Sequence, residues 1–348
     1  MQTVLDILAL LIGIGTLSSL IRCDFWLIRG WDFPRLQLMV LGLAVVIGRF
    51  LLGWPGPWWE WIPVGILGIA IGYAAASMKR YITLYPHELK DAEEESAVKI
   101  LVSNVLMSNR ESSKLLAIVR DYHPDLLVAL ETDRWWTEQL DGLSDILPHA
   151  VKVPQDDTYG MVLLSRLLLL DPEVKYLLRG NIPSIHGRLQ LKCGVKLAFH
   201  AVHPKPPFPD ESTSSTGRDG EMLLVGKAVK ETGGPTLVLG DLNDVAWSRS
   251  TRMFQKISGL LDPRIGRGYF NTYHAGHVWM RWPLDHVFIS PEFRVRKIVR
   301  LPYVGSDHFP MFADFSYEPD RRAGQSENME DAGDEEEADE KIDEARQD

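Results

Sequence analysis

Residues 236–243 read TLVLGDLN, an apolar run that ends in a carboxylate and an amide. The aliphatic residues that follow Thr236 predict a short buried strand. A buried strand has no reason to end in a carboxylate unless a cation or a hydrogen-bond donor meets it. The stretch therefore predicts a strand that delivers Asp241 and Asn243 to a polar site, although Gly-Asp-x-Asn also suits an ordinary turn.

Other polar residues follow, interrupt or open apolar strands in the same way. They are Asn104, Glu131, His203, the pair Asp285 and His286, and the pair Asp307 and His308. Each has an ordinary alternative, because a strand end can carry a solvated carboxylate and a core histidine can simply be hydrogen-bonded. If several such ends converge at one edge, they make a polar pocket suited to a metal.

Short apolar runs alternate with a few amphipathic stretches over residues 96–317. Strands are predicted at 98–106, 125–130, 160–164, 188–191, 197–202, 236–239, 284–289 and 308–315, and helices at 112–122, 217–231 and 248–258. Many short strands with few helices predict two sheets packed face to face, with the helices outside.

The motifs occur in an order that resembles the endonuclease/exonuclease/phosphatase superfamily. They are Asn104 within a strand, LET at 130–132, GMVLLSR at 160–166, Val202-His203, GDLN at 240–243, LDH at 284–286 and GSDH at 305–308. That superfamily includes pancreatic-type deoxyribonucleases, abasic-site endonucleases, inositol polyphosphate 5-phosphatases and neutral sphingomyelinases. Met161 departs from the pattern, since many members have Asn there, and His286 lies at a variable position and receives no role.

The resemblance implies a four-layered α/β sandwich and a phosphoesterase that uses Mg²⁺ or Mn²⁺. Glu131 would be the principal metal ligand, with Asn104 beside it and Asp307 close to the metal. Oxygen donors of this kind suit Mg²⁺ better than cysteine does.

The same resemblance implies roles for five other residues. Asp241 would position or deprotonate the attacking water, and Asn243 would hold that water or a phosphoryl oxygen. His308 would bind the phosphate and would be oriented by Asp285, because an Asp–His pair fixes a tautomer and favours the imidazolium. His203 matches a catalytic histidine of the deoxyribonuclease branch.

Residues 1–80 contain three apolar stretches, at 4–21, 36–52 and 61–78. Each is close to the ~20 residues that cross a bilayer core. Trp54, Trp58, Trp59 and Trp61 surround a Pro55-Gly56-Pro57 turn, as an aromatic belt at a membrane interface would. The region is therefore predicted to be three transmembrane helices that precede the catalytic domain; the alternative is a buried helical subdomain.

The distribution of basic residues predicts how these spans are oriented. Arg22, Arg29 and Arg35 lie between the first two spans, and Lys79 and Arg80 follow the third. The positive-inside rule puts both groups in the cytoplasm and the N-terminus outside. The expectation is a multi-pass membrane protein with a cytoplasmic catalytic domain.

The formal charge of −10 is unevenly distributed. Residues 327–348 hold 12 Asp and Glu against two Lys and Arg, so the rest of the chain sums to zero. That balance argues against tight binding to duplex DNA, which needs a basic face. Residues 81–95 are predicted to be a polar linker and 318–348 a disordered acidic tail, with a partner-binding tail as the alternative.

The composition leaves the substrate open. A phosphate ester is expected, either in a nucleic acid or in a lipid head group, and protein partners are not indicated. The two cysteines, Cys23 and Cys193, suggest neither a disulfide framework nor a metal site. The alternative class is a non-catalytic membrane scaffold that retains the fold, but its signature would be loss of the metal and water-activating positions, which are present.

Overall fold

The computed structural model of the chain describes all residues except 53–56, 179, 210, 326–332 and 348. The helices are α1 (Gln2–Ser18), α2 (Trp26–Arg29), α3 (Arg35–Leu51), α4 (Ile62–Met78), α5 (Ser112–Tyr122), α6 (Arg134–Leu140), α7 (Thr216–Thr232), α8 (Arg249–Ser258) and α9 (Asp334–Gln347). The strands are β1 (Val98–Asn104), β2 (Leu126–Leu130), β3 (His149–Val153), β4 (Met161–Ser165), β5 (Leu169–Lys175), β6 (Ser184–Gln190), β7 (Lys196–Ala201), β8 (Thr236–Asp241), β9 (Asp285–Ile289), β10 (Phe293–Arg300) and β11 (Met311–Tyr317).

The described strands form two mixed sheets. The first has the order β10-β11-β1-β2-β4-β3 and the second β5-β6-β7-β8-β9. The pairs β1–β2 and β7–β8 are parallel, and the other neighbours are antiparallel. The carboxyl ends of β1 and β2 therefore meet at one edge.

The core lies between the two sheets and continues under the helices. Ile100 and Val102 of β1 pack between the sheets with Leu239 of β8. Because side chains alternate along a strand, Leu101 points the other way, into a cluster that it shares with Leu115 of α5. Helices α5 and α6 cover the first sheet and α7 and α8 cover the second, which confirms the predicted four-layered α/β sandwich.

The sequence analysis missed three strands, and all are polar or lie at a sheet edge. β3 and β5 are edge strands with exposed charged residues, and β5 contains Pro172. β10 reads FRVRKIVR and forms the other edge of the first sheet. Edge strands tolerate charge and proline because one side makes no ladder hydrogen bonds, so their hydrophobic pattern is weak.

The N-terminal helices α1, α3 and α4 pack against one another. One continuous helical stretch, Trp58–Tyr81 with 24 residues, is long and apolar enough to cross a membrane. Trp26–Asp32 and Arg35–Leu51 pass that test only as a pair bent by 75°, and Gln2–Ser18 is a shorter apolar helix. The three-span arrangement stays a prediction, and Trp54, Pro55 and Gly56 of the expected turn lie outside the described residues.

The segments that flank these helices dock onto the sandwich. The Trp26 amide donates to the Thr213 carbonyl at 3.0 Å, and the Ser215 amide donates to the Asp24 carbonyl at 2.8 Å. Leu89, within the predicted linker 81–95, is fully buried in the core between the sheets. The predicted linker is therefore packed against the domain along part of its length.

The disorder predicted for residues 318–348 is wrong for residues 334–347, which form α9. Ala338, Ile342 and Ala345 are buried, and Ala338 and Ile342 pack with Leu223 of α7 and Met253 of α8. Acidic residues of α9 pair with basic residues of α7 and α8, for example Asp334 with Lys256 at 3.0 Å and Glu335 with Lys230 at 2.8 Å. The helical spacing of three apolar residues was hidden in a strongly acidic composition.

Candidate active site

The polar strand ends meet at one edge of the sandwich. Asn104 ends β1, Glu131 follows β2, and Asp241 ends β8. Asp285 opens β9 and lies directly opposite Asp241 in the antiparallel β8–β9 pair. His308 lies just before β11, which is antiparallel to β1 and so begins at the edge where β1 ends.

The amide of Asn104 bridges two carboxylates. Its Nδ2 donates to Glu131 Oε1 at 2.7 Å and to Asp241 Oδ2 at 3.2 Å. Glu131 has a φ of +59° and Asn243 a φ of +51°, in the left-handed region that non-glycine residues seldom adopt. Such backbone conformations concentrate at functional sites, where the surroundings hold them in place.

His308 is held between two aspartates. Its Nδ1 lies 2.8 Å from Asp285 Oδ2, and its Nε2 lies 3.5 Å from Asp241 Oδ2. Burial alone would lower the pKa of His308, but the carboxylates of Asp285 and Asp241 outweigh it and raise this pKa to about 10. His308 is therefore an imidazolium at neutral pH. His203 is buried nearby, with Nε2 3.9 Å from the same Asp241 oxygen.

Asn243 is fixed by backbone contacts. Its amide N–H donates to Asp241 Oδ1 at 3.0 Å, and its Nδ2 donates to the Pro204 carbonyl at 3.0 Å. Its own carbonyl accepts from Nη1 of Arg218 at 2.8 Å. Gly240 has a φ of +143°, and a Cβ there would overlap the Val202 carbonyl oxygen, so the turn into Asp241 requires glycine.

Two arginines that could have met phosphate are engaged elsewhere. Arg218 is buried in ion pairs with Asp219 at 2.8 Å and Asp244 at 3.3 Å. Arg188 pairs with the exposed Asp171 on a neighbouring strand. Arg218 thus supports Asn243 from behind rather than facing the cavity.

A cavity of about 230 Å³ opens in front of this cluster. The predicted residues that line it are Glu131, His203, Asp241, Asn243, Asp307 and His308, while Asn104 and Asp285 lie behind them in hydrogen-bond contact. Among the described residues of the lining, none is a lysine or an arginine. The structure thus brings all eight predicted site residues together.

The lining also contains residues that the sequence analysis missed. The Tyr159 ring lies 5.6 Å from that of His203, and the Tyr273 ring lies 4.9 Å from that of His308, between ring centroids. Tyr159 immediately precedes the Gly160 motif, so its position was a usable signal. Phe33, which belongs to the segment between α1 and α3, also lines the cavity, and no local pattern connects it to site residues that begin only at Asn104.

The donors of this cluster fit a divalent cation. Burial raises the pKa of Glu131, and the nearby Asp307 carboxylate acts in the same direction. Asp285 Oδ1 is buried without a partner among the described residues. Asp241, Asp285 and His308 also offer ligand atoms within 4.8 Å of one another, but Nδ1 of His308 already binds Asp285. The predicted ligands Glu131 and Asp307 line the same cavity, and Asn104 donates to Glu131 from behind it.

Two packed mixed sheets with carboxylates and histidines clustered at one edge define the class of α/β-sandwich phosphoesterases. The sequence model of the Endonuclease/Exonuclease/phosphatase family matches residues 101–308. The chain belongs to that family, which confirms the resemblance. A search of the curated proteins found no match.

Solved structures with the same fold are distant in sequence. TDP2 of D. rerio, complexed with a single-strand DNA product, is 16% identical with a TM-score of 0.53, covering 64% of this chain and 100% of that one. The human Nocturnin catalytic domain with bound sulfate is 18% identical with a TM-score of 0.52, covering 65% and 96%. An endonuclease/exonuclease/phosphatase from Beutenbergia cavernae is 16% identical with a TM-score of 0.52, covering 64% and 72%. At these identities the likeness concerns the fold alone.

Proposed function

We propose that this chain is a membrane-anchored phosphoesterase that depends on Mg²⁺ or Mn²⁺. The observation that carries the proposal is the convergence of Glu131, Asp241, Asp307 and His308 on one cavity, with Asn104 bridging two of the carboxylates. A non-catalytic scaffold has no need for carboxylates and histidines that converge on one cavity.

Glu131, Asn104 and Asp307 would hold the metal. When bound, it would neutralise charge on the phosphoryl and leaving oxygens. Asn104 orients Glu131 by donating from Nδ2 to Oε1 at 2.7 Å. The other carboxylate oxygen, Oε2, accepts a longer hydrogen bond from the Met107 amide at 3.4 Å. The protein therefore presents this carboxylate in a fixed orientation.

Asp241 is the proposed general base. Its carboxylate lines the cavity, and amide donors on both sides fix its orientation. It takes a proton from the attacking water, while the amide group of Asn243 holds that water or a phosphoryl oxygen. Positioned proton transfer of this kind typically contributes ~10²–10⁴-fold.

The two histidines complete the site. His308, kept as an imidazolium by Asp285 and Asp241, donates to a phosphoryl oxygen and stabilises charge that grows in the transition state. Asp285 is a positioning residue, because its contact with Nδ1 directs Nε2 of His308 toward Asp241. His203, next to the same Asp241 oxygen, delivers a proton to the leaving oxygen.

The surfaces of the N-terminal helices support membrane anchoring. Large apolar residues face outward on each helix, including Ile14 of α1 at 58% exposure, Val40 of α3 at 61% and Ile69 of α4 at 66%. The backbones of α1 and α4 approach each other closely, because a Cβ on Gly13 would lie only 2.8 Å from Ile66 Cγ2. Apolar outer faces with glycine at helix contacts are typical of membrane helices.

The catalytic domain is proposed to lie in the cytoplasm. Three antiparallel spans would place the segment 19–34 and the segment after α4 on the same side. That side carries Arg22, Arg29, Arg35, Lys79 and Arg80, which favours a cytoplasmic location.

A metal-dependence assay tests the proposal. The full chain in detergent or nanodiscs would be offered plasmid DNA, single-stranded DNA, RNA, abasic-site DNA, phosphoinositides, sphingomyelin and bis-p-nitrophenyl phosphate. Hydrolysis that requires Mg²⁺ or Mn²⁺ and is lost with a chelator is expected. A folded protein that hydrolyses none of these with any divalent metal would favour the scaffold alternative.

A further inference from the structure

The side of the catalytic cavity that faces the N-terminal helices is apolar. Phe33, in the segment that leads into α3, lines the cavity and contacts Trp282 edge to face, with ring centroids 5.8 Å apart. The preceding residue, Asp32, is tied to the sandwich because its carbonyl accepts from Trp247 Nε1 at 2.7 Å. The connection between two apolar helices therefore forms part of the catalytic wall.

A loop continues this apolar wall to the start of α3. Val278, Trp279 and Met280 are 73%, 83% and 53% exposed, although they belong to the same loop as the cavity residue Trp282. The Trp279 carbonyl accepts from Nε2 of Gln37 at 2.6 Å. Gln37 lies in the first turn of α3, so the tip of the loop is level with the end of a proposed membrane span.

The cavity suits one phosphate better than a nucleic-acid backbone. Its described lining contains no lysine or arginine, whereas a nucleic acid is usually held through several phosphates by such residues. The apolar side chains of Phe33, Phe208 and Trp282 share the lining with the polar cluster. A polar centre with an apolar rim beside a bilayer matches a lipid phosphate with its glycerol and acyl portion.

We propose that the substrate is a phosphate ester of a membrane lipid, and that Val278, Trp279 and Met280 enter the head-group region of the bilayer that holds α1, α3 and α4. The lipid reaches the cavity by lateral diffusion past this loop. Hydrolysis adds one water across a P–O bond: the hydroxyl goes to phosphorus and the proton to the leaving alcohol. This inference rests on the proposed function and names the substrate of the same site.

The test uses the full chain in phosphatidylcholine nanodiscs that contain phosphatidic acid, phosphatidylglycerol or phosphatidylinositol 4-phosphate, with Mn²⁺. Soluble arms are bis-p-nitrophenyl phosphate, glycerol 3-phosphate and single-stranded DNA. Wild type should release phosphate or a soluble head group from at least one lipid, faster than it acts on glycerol 3-phosphate. The double variant V278S/W279S should slow lipid hydrolysis at least about tenfold, because burial of large apolar side chains at the bilayer is lost.

The same variant should change the rate on bis-p-nitrophenyl phosphate by less than about twofold, as expected for exposed positions that do not line the cavity. Leu168→Ser is the matched control, because Leu168 is an apolar residue that is 50% exposed far from the cavity. It comes shortly after Ser165, the last residue of β4, which pairs with the first residue of β2. Glu131 follows the other end of β2, so the two positions lie at opposite edges of the sheet. Leu168→Ser should leave both rates unchanged.

Three results would overturn the inference while the proposed function stands. In the first, the protein cleaves soluble esters but none of the lipids. In the second, it cleaves single-stranded DNA faster than every lipid. In the third, V278S/W279S and wild type hydrolyse lipid at the same rate. If the folded wild type cleaves no ester in any arm, the proposed function fails and the lipid assignment fails with it.

A binding measurement checks the loop without relying on activity. In a chain with Cys23→Ser and Cys193→Ser, a fluorophore attached through Val278→Cys should be quenched by spin-labelled lipid in the nanodisc. The same fluorophore attached through Leu168→Cys should not be quenched. Equal quenching at both positions would mean that the loop does not touch the bilayer.

Discussion

Replacing Asp241 with Asn tests the proposed chemistry most directly. The substitution keeps the size of the side chain, and its remaining oxygen can still accept from the Asn243 amide, now 3.0 Å from Oδ1. It removes the proton acceptor and the negative charge that lies 3.5 Å from Nε2 of His308. Loss of a general base costs ~10²–10⁴-fold in kcat, and the lower bound corresponds to about 2.7 kcal/mol of transition-state stabilisation.

The fold should not suffer from this substitution. Asp241 is 1% exposed and lies beside the buried carboxylate of Asp285 and the imidazolium of His308, so neutralising it relieves one repulsion and weakens one attraction. Because these two effects oppose each other, the Tm of D241N should stay close to that of wild type. Steady-state kinetics at saturating Mn²⁺ and thermal unfolding would be measured on the same sample.

Asp171→Asn is the matched control, because this carboxylate is exposed and pairs with Arg188 away from the cavity. The double variant of Asp241→Asn with His308→Ala should lose less than the product of the two single losses, since both groups serve one transition state. Near-full kcat in D241N would refute the role of Asp241. A low kcat accompanied by a fall in Tm would instead make the residue structural.

Three further predictions concern the metal, a histidine pair and the C-terminal helix. Glu131→Gln should weaken Mn²⁺ binding in calorimetry by at least about tenfold, since even changing the partners of metal ligands costs roughly 10–100-fold; unchanged affinity would remove Glu131 from the ligand set. Burial lowers the pKa of His186 to about 3 and that of His200 to about 4. The unfolded chain, with a histidine pKa of ~6.5, therefore binds more protons below that pH, so each of these two histidines should lower the free energy of unfolding by about 1.4 kcal/mol at pH 5.5 relative to pH 7.5. The effect is measured against the double variant His186→Gln/His200→Gln, because His308, whose pKa is raised, shifts stability in the opposite direction; the same pH dependence in both proteins would contradict it. Ile342→Ala, at a site 3% exposed, should cost about 2 kcal/mol or more and reduce hydrogen-exchange protection across α9, whereas the exposed Glu344→Ala should do neither.

The positions of the catalytic groups could be predicted because each belongs to a strand end with a short-range signal. Asp241 follows the apolar run 237–239 and Gly240, and Glu131 directly follows the apolar run 126–130. A carboxylate at the end of a buried strand therefore marked both positions. The order of these motifs then linked them to one fold. The spatial distances between the motifs did not have to be known, because strand pairing in a sandwich brings such strand ends to a common edge.

What escaped prediction depends on contacts between distant segments. Phe33 reaches the cavity only because its neighbours dock on the sandwich, for example through Asp32 and Trp247. The helix α9 was obscured because its buried face consists of two alanines and Ile342 among acidic residues. Its order comes from α7 and α8, whose basic side chains and apolar surface receive it, and a composition average contains none of that information.

The placement of β1 has a consequence for biosynthesis. This strand, at Val98–Asn104, lies between β2 and β11, and β11 spans Met311–Tyr317. During translation, β11 is synthesised some 200 residues after β1. At a synthesis rate of ~5–20 residues per second, β1 therefore has no β11 to pair with for about 10–40 s. For that interval one edge of β1 is open on the nascent chain. Chains that terminate before β11 would therefore expose an apolar strand edge and become substrates for quality-control proteolysis.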